Sequence, residues 1–185
     1  MSRSALRLET RRLLLREWRN DDVEGWVAMN GDERVMAFFP STYDRVHAEA
    51  SAAKMRAALE RDGYGWWIMD VRHGPSFAGV IALQDVPFEA PFTPALEIGW
   101  RLTYDAWGHG YATEGAMVAL RFAFDTLGRN EVVAYTAENN VRSRRVMERL
   151  GMTHGSEDDF EHPRLAVGHP LRKHVLYRAR SSQRN

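Results

Sequence analysis

The stretch 103–116, TYDAWGHGYATEGA, places Gly108 and Gly110 around His109 directly before an apolar run of helical period. The first N–H groups of a helix have no intrahelical partner and carry the positive end of its dipole. Glycines at that mouth remove the side chains that would hold a bulky anion away from those groups. A strand, a glycine loop and a helix in succession therefore make a phosphate-binding arrangement. Two nucleotide loops fail on spacing. A dinucleotide loop of G-x-G-x-x-G type needs a third glycine where Thr113 stands, and the G-K-[S/T] of a Walker loop occurs nowhere. A tight turn that binds nothing is the alternative for this segment taken alone. The chain has no cysteine, so its chemistry does not pass through a cysteinyl intermediate, and no disulfide framework or zinc–thiolate site is available. Four of the seven histidines fall within 154–174. Their spacing matches neither H-E-x-x-H nor a ligand pair on one helix face, so no metal is expected.

The elements that must position this loop are legible from pattern. Residues 7–18 read as an opening strand, and 20–32 as a short helix with Val23, Trp26 and Val27 at helical spacing. Residues 45–63 form an alanine-rich helix stopped by Gly63. Two β-rich runs, 64–71 and 77–86, flank the turn RHGPS and predict an antiparallel hairpin. Three prolines in 87–95 make that segment an irregular loop. Residues 96–102, LEIGWRL, form a strand whose central Gly99 signals a bulge or a close backbone approach. A helix over 111–127, a buried strand over 131–137, a helix over 139–151 capped by an asparagine, and a last strand over 173–179 complete the order, and the tail 181–185 is expected to fray. Such an order gives an α/β (α+β) mixed sheet with helices on both faces. It forms one domain over 1–185 with an ordered core of about 6–178.

Composition narrows the class. Twenty-five basic residues balance 25 acidic ones, so no net field draws the chain to nucleic acid or a lipid surface. No apolar run approaches the ~20 residues of a membrane span. The start lacks a sustained apolar segment and a small-residue cleavage site, so no secretory signal is expected and the cytoplasm is the simplest location.

Three motifs then fall in order and spacing: EIGWRL, WGHGYATEGA and ENNVRSRRVMERLGM. The middle one resembles [Gln/Arg]-x-x-G-x-[Gly/Ala], the pyrophosphate loop of acetyl-CoA-dependent N-acetyltransferases, with Trp107 in the first place. Together they resemble the GNAT superfamily, and most closely its ribosomal-protein N-acetyltransferase-like branch (RimJ/RimL-type). The N-x-x-S helix and terminal G-[F/M] of that branch match Asn140, Ser143 and Gly151-Met152. The likeness runs from about Leu6 to Arg178.

The resemblance implies a mostly antiparallel GNAT sheet whose bulged strand, 96–102, splays from 131–136. Acetyl-CoA would lie in the V, its pantetheine pairing with the backbone at Trp100 and Leu102, with Arg101 between them also counted among the cofactor-binding residues. The N–H groups of Gly108, His109, Gly110, Tyr111, Ala112 and Thr113 would hold the pyrophosphate. Trp107 departs from the wider family's Gln/Arg, so a side-chain phosphate contact is not carried over there. Asn140 would orient cofactor or water. Arg142, Arg144 and Arg145 form a basic run on that helix, a solvated face unless one of them, with Arg145 the candidate, meets the 3′-phosphate of CoA.

Acetyl transfer to an amine needs a neutral amine, a polarised carbonyl and a proton for the thiolate. Deprotonating a lysine-type amine at neutrality costs about 4 kcal/mol, and an α-amino group only about 1 kcal/mol. A modest base therefore suffices for an N-terminus. Glu97 is the candidate base, acting through water. Ser143 is the candidate proton donor, with Tyr177 as the alternative. Phe88 and Phe92 are candidate walls of an acceptor pocket, and the acidic run 156–161 could attract a cationic amine. The expected activity is direct acetylation of a primary amine, either a protein N-terminus or a small molecule, by a monomer or homodimer. A non-catalytic acyl-CoA-binding sensor of the same fold is the alternative.

Overall fold

Asp44 starts the longest helix. Its carboxylate accepts the His47 N–H at 2.7 Å, and Gly63 ends the helix in the left-handed region at φ 76°. The computed structural model describes residues 7–181. In chain order its first elements are β1 (Leu8–Glu9), β2 (Leu13–Arg16), α1 (Asp22–Gly31), α2 (Glu33–Met36), α3 (Arg45–Asp62), β3 (Trp66–Val71) and β4 (Gly79–Asp85). Then follow β5 (Leu96–Leu102), α4 (Tyr111–Asp125), β6 (Glu131–Ala137), α5 (Val141–Arg149), β7 (Thr153–His154), β8 (Phe160–Glu161) and β9 (Lys173–Arg180).

The strands make one sheet in the order β1-β2-β3-β4-β5-β6-β9-β7, with β8 also on β9. Every pairing is antiparallel except β5 with β6. Adjacent side chains on a strand face opposite ways, and β3 shows what covers each face. Trp66 meets Trp26 of α1 edge-on at 6.1 Å, while Trp67 meets Phe122 of α4 at 5.8 Å. Helices therefore pack on both sides, as the element order predicts.

Three local features depart from the sequence reading. The opening strand is two strands, because Thr10 breaks it: its hydroxyl accepts the Leu13 N–H at 2.9 Å. The one-turn helix α2, capped by Asp32, and the two-residue strands β7 and β8 are too short to show a period. The frayed tail falls almost wholly outside the described residues.

The expected bulge is not on β5. That strand pairs with β4 in unbroken register from Gly79↔Leu102 to Asp85↔Leu96. The irregularity lies on its neighbour. The Ala78 N–H donates to the Met69 carbonyl at 2.8 Å while Gly79 is Met69's register partner, so two residues oppose one. Gly79 has φ 140°, and a Cβ there would lie 2.3 Å from the Arg101 carbonyl oxygen. Gly79→Ala is therefore expected to destabilise the fold by about 2–3 kcal/mol, read as a lower urea midpoint at constant slope. An unmoved midpoint would mean the two backbones can part freely.

The splay, by contrast, is present. β5 and β6 share a single register pair, Glu97↔Val133, and separate beyond it. The Thr103 N–H donates to Ala78 at 3.0 Å. By alternation the backbone groups of 97, 99 and 101 point toward β4, and those of Ile98, Trp100 and Leu102 toward β6. Past Ile98, this leaves Trp100 and Leu102 facing an open gap. Backbone groups so placed need partners.

Candidate active site

The gap opens onto the glycine loop. Gly108 and Gly110 both sit in the left-handed region, at φ 80° and 78°, a conformation costly for any residue with a Cβ. The first intrahelical bond of α4 runs from the Glu114 N–H to the Gly110 carbonyl at 3.1 Å. The N–H groups of Tyr111, Ala112 and Thr113 are left without intrahelical acceptors. Thr113 adds a buried hydroxyl with no hydrogen-bond partner.

Trp107 has a different task from the Gln/Arg it replaces. Its indole N–H donates to the Leu102 carbonyl at 3.1 Å, so the last acceptor of the open edge is already satisfied. Arg142 of α5 lies over the same ring, 4.4 Å from its centroid, and brings a cation to the loop. His109 does not enter the site. Its ring is exposed and stacks on Tyr111 at 5.3 Å.

Arg12, which nothing in the sequence pattern marked, clamps the loop. It donates to the His109 carbonyl at 3.0 Å, pairs with Glu114 at 2.6 Å and covers the Tyr111 ring. Burial would raise the Glu114 carboxyl, but hydrogen bonds from Thr10 and Arg12 outweigh it and hold the group below its ordinary value.

A cleft of about 460 Å³ runs from this loop along β5 to Glu97, with Asn140, Ser143 and Arg145 on the α5 side. The structure thus gathers the predicted residues of β5, the loop and α5 around one space. Glu97 is half-buried. Its Oε2 accepts from the Tyr135 hydroxyl at 2.8 Å and the Gln84 amide at 3.2 Å, and Gln84 in turn accepts from the Trp66 indole at 2.8 Å. Burial pushes the Glu97 carboxyl up to about 7, against the downward pull of those two hydrogen bonds. Burial likewise raises the Tyr135 hydroxyl, reinforced by the Glu97 charge, so it stays protonated as a donor. Tyr135 and Gln84 were missed because their role depends on strand pairing. They lie on the two strands that flank Glu97.

On α5, the Asn140 side chain accepts the Ser143 N–H at 3.4 Å and donates to the Thr136 and Ser143 hydroxyls at 2.9 and 3.2 Å. Asn140, not Ser143, is the cap. Because the Ser143 oxygen is an acceptor toward Asn140, its own proton is left to donate elsewhere.

Several expectations are corrected. Tyr177 is buried away from the cleft, where its hydroxyl donates to Glu148 at 3.2 Å and accepts from Arg144 at 3.4 Å. It therefore cannot serve the cleft, and it separates Arg144 from Glu148. The backbone of Arg101 pairs with Val80 and so does not face the β5–β6 gap, while its side chain sits in an aromatic cage at the wall of the cleft. Phe88 and Phe92 pack with Phe160 around Tyr135 rather than lining the cleft. The acidic run is committed internally, with Asp158 on Arg178 and Asp159 on His154, both at 2.7 Å.

The residues present fit a ligand with an extended amide arm and a diphosphate. The open edge at Trp100 offers strand-like pairing to the arm. The orphaned Thr113 hydroxyl and three free N–H groups could meet the anion. Among the described residues no cluster of three or more potential ligands could hold a metal ion, and no helix is long and apolar enough to cross a membrane. A splayed sheet with a glycine loop at its open end and a half-buried carboxyl at its closed end makes a cleft that an acyl-CoA would fit.

Comparison with known proteins agrees. Residues 12–153 match the family described as Acetyltransferase (GNAT) domain, and the chain belongs to that family of acyltransferases. It is 39% identical over 104 residues to the FsC-acetyl coenzyme A-N(2)-transacetylase of Aspergillus fumigatus, a match covering 54% of this chain and 43% of that protein. The chain thus spans less than half the length of that relative. Its fold is similar to a GNAT-family acetyltransferase from Bacillus anthracis (TM-score 0.80, 21% identity, 96% of this chain and 100% of that one). It is also similar to Mycobacterium smegmatis RimJ in complex with CoA-disulfide (TM-score 0.72, 19% identity, 92% and 82% covered).

Proposed function

We propose that this chain moves an acetyl group from acetyl-CoA to a primary amine in one direct step. The observation that carries the reading is the Glu97 carboxyl, half-buried at the closed end of the cleft with its protonation balanced near pH 7. Acetyl-CoA supplies an activated thioester carbonyl. The amine nitrogen attacks that carbon, the C–S bond breaks, and the proton lost by nitrogen passes through water to Glu97. The Ser143 hydroxyl, oriented by Asn140, gives a proton to the departing thiolate. A base of this pKa lies close to an α-amino group and some three units below a lysine-type amine, which favours acceptors of low basicity. The N–H groups of residues 111–113 hold the diphosphate, the open edge at Trp100 orients the arm, and Arg145 and Arg142 face the phosphates. The likeness to the ribosomal-protein N-acetyltransferase-like branch supports a protein N-terminus as acceptor, and a small amine is the equal alternative.

The test is calorimetric titration with acetyl-CoA, followed by thiol-detected CoA release in the presence of amines. Micromolar binding with amine-dependent release is expected. Binding without release would identify an acyl-CoA sensor, and no binding would overturn the reading.

A further inference from the structure

The strand that carries Glu97 presents a second charged side chain to the same side. Residues 97, 99 and 101 share one face of β5. Gly99 lies between the other two, and a Cβ there would meet only Glu97 Oε1, at 3.8 Å. The space above the strand between the two charges is therefore open. Arg101 is only 8% exposed and is caged by aromatic rings, with Phe39 at 3.9 Å, Trp26 at 5.3 Å and Tyr43 at 5.7 Å. One guanidinium nitrogen donates to Asn30, but Nε is buried without an acceptor. Among the described residues no carboxylate pairs with it, and burial draws its pKa down against the opposing pull of the neutral Tyr43 hydroxyl.

A second buried arginine shows what is missing. Arg16 pairs with Asp22 at 2.7 Å and Asp70 at 2.6 Å, the usual requirement for a charge taken out of water. Arg101 lacks such an anion, and it lines the same cleft as Glu97.

We propose that the missing anion is part of the acceptor: the amine substrate carries a carboxylate that docks on Arg101 while its nitrogen faces Glu97. This rests on the acetyl-transfer reading above. Four residues of strand separate the two α-carbons by about 13 Å. Glu97 Oε1 already leans to 3.8 Å from where a Gly99 Cβ would lie, about halfway to Arg101, and a bridging water takes up about 3 Å more. The carboxylate therefore lies a few bonds from the amine, as in a small amino acid. A protein N-terminus offers a carboxylate so close to its nitrogen only where its first residue is Asp or Glu. Phe38, Phe39 and Trp66 supply an apolar wall for the remainder of the molecule.

The wild-type chain with saturating acetyl-CoA is to be assayed for CoA release on a panel of α-amino acids and ω-amino acids of two to six carbons, each against its amide. The best carboxylated acceptor is expected to exceed its amide at least about 30-fold in kcat/KM, chiefly through KM. In Arg101→Gln that ratio should fall below threefold, with Arg101→Lys intermediate. Turnover of the amides as good as that of the acids would overturn the proposal while leaving acetyl transfer intact, and it needs no variant. Calorimetry of the N-acetyl amino acids against their amides on the CoA-loaded protein reads the anion site without turnover. Preferential binding of the acids with no CoA release on any amine would sink the acetyl-transfer reading and keep the site. Equal binding of acids and amides would sink the site.

Discussion

Glu97→Gln is expected to lower kcat by about 10²–10⁴-fold and to leave acetyl-CoA affinity within about twofold, because the carboxyl sits at the far end of the cleft from the glycine loop. In the wild type a base must be deprotonated to act. With Glu97 at about 7, the rate should rise close to tenfold per pH unit below that value and level off above it. Glutamine keeps the shape and can still receive the Tyr135 hydrogen bond, but it cannot take a proton, so the rising limb should vanish with the activity. Tyr135→Phe removes a hydrogen bond that favours the charged form, so it should move the limb to higher pH while activity survives. A pH–rate profile unchanged in Glu97→Gln would remove this residue from the mechanism. The stability sign follows from the same shift. The folded pKa lies above the ordinary 4.5, so between about pH 4.5 and 7 the native state binds more protons than the unfolded chain. Stability contributed by this group falls as pH rises through that window. Glu97→Gln should accordingly be the more stable protein at pH 8.

Gly110→Val should cost acetyl-CoA affinity at least about 30-fold, because Gly110 turns the chain into α4 at φ 78° and a β-branched residue there is an outlier. Crowding is a minor part of the effect, since a Cβ would meet only Arg12 Nη2, at 3.6 Å. Gly110→Ala should therefore lose only about fivefold, the left-handed penalty of about 1 kcal/mol. The contrast between the two variants, measured by calorimetry with circular dichroism unchanged, reports backbone direction at the helix mouth. Equal affinities in wild type and Gly110→Val would separate the loop from the ligand.

What the sequence revealed was whatever depends on local pattern. The β5 strand, the start of α4 at Tyr111 and the Asn140 cap of α5 all lie where period, glycine and capping residues put them. What it hid depends on contacts between distant segments. Gly99 pointed to a bulge, yet the two-against-one pairing falls at Ala78–Gly79, because Gly79 is the residue that must pass close to Arg101. The family resemblance offers Tyr177 as a proton donor, and only the register Ala134↔Tyr177 on β9 and its bond to Glu148 show that it faces elsewhere. Tyr135 and Gln84 become partners of Glu97 only when β4, β5 and β6 lie side by side. The N-terminal Arg12 gave no signal at all. Its neighbours are 97 and 102 residues away in sequence.

That separation has a consequence for how the molecule comes into being. A loop held by contacts across about a hundred residues gains its shape only once the chain between has been fixed, because closing so long a segment costs entropy that local interactions do not return. On a ribosome, the hairpin carrying Arg12 emerges before the helix it will clamp and waits for it. The chain therefore becomes able to hold its ligand late, after most of its sheet exists, and not as a property that any early fragment possesses.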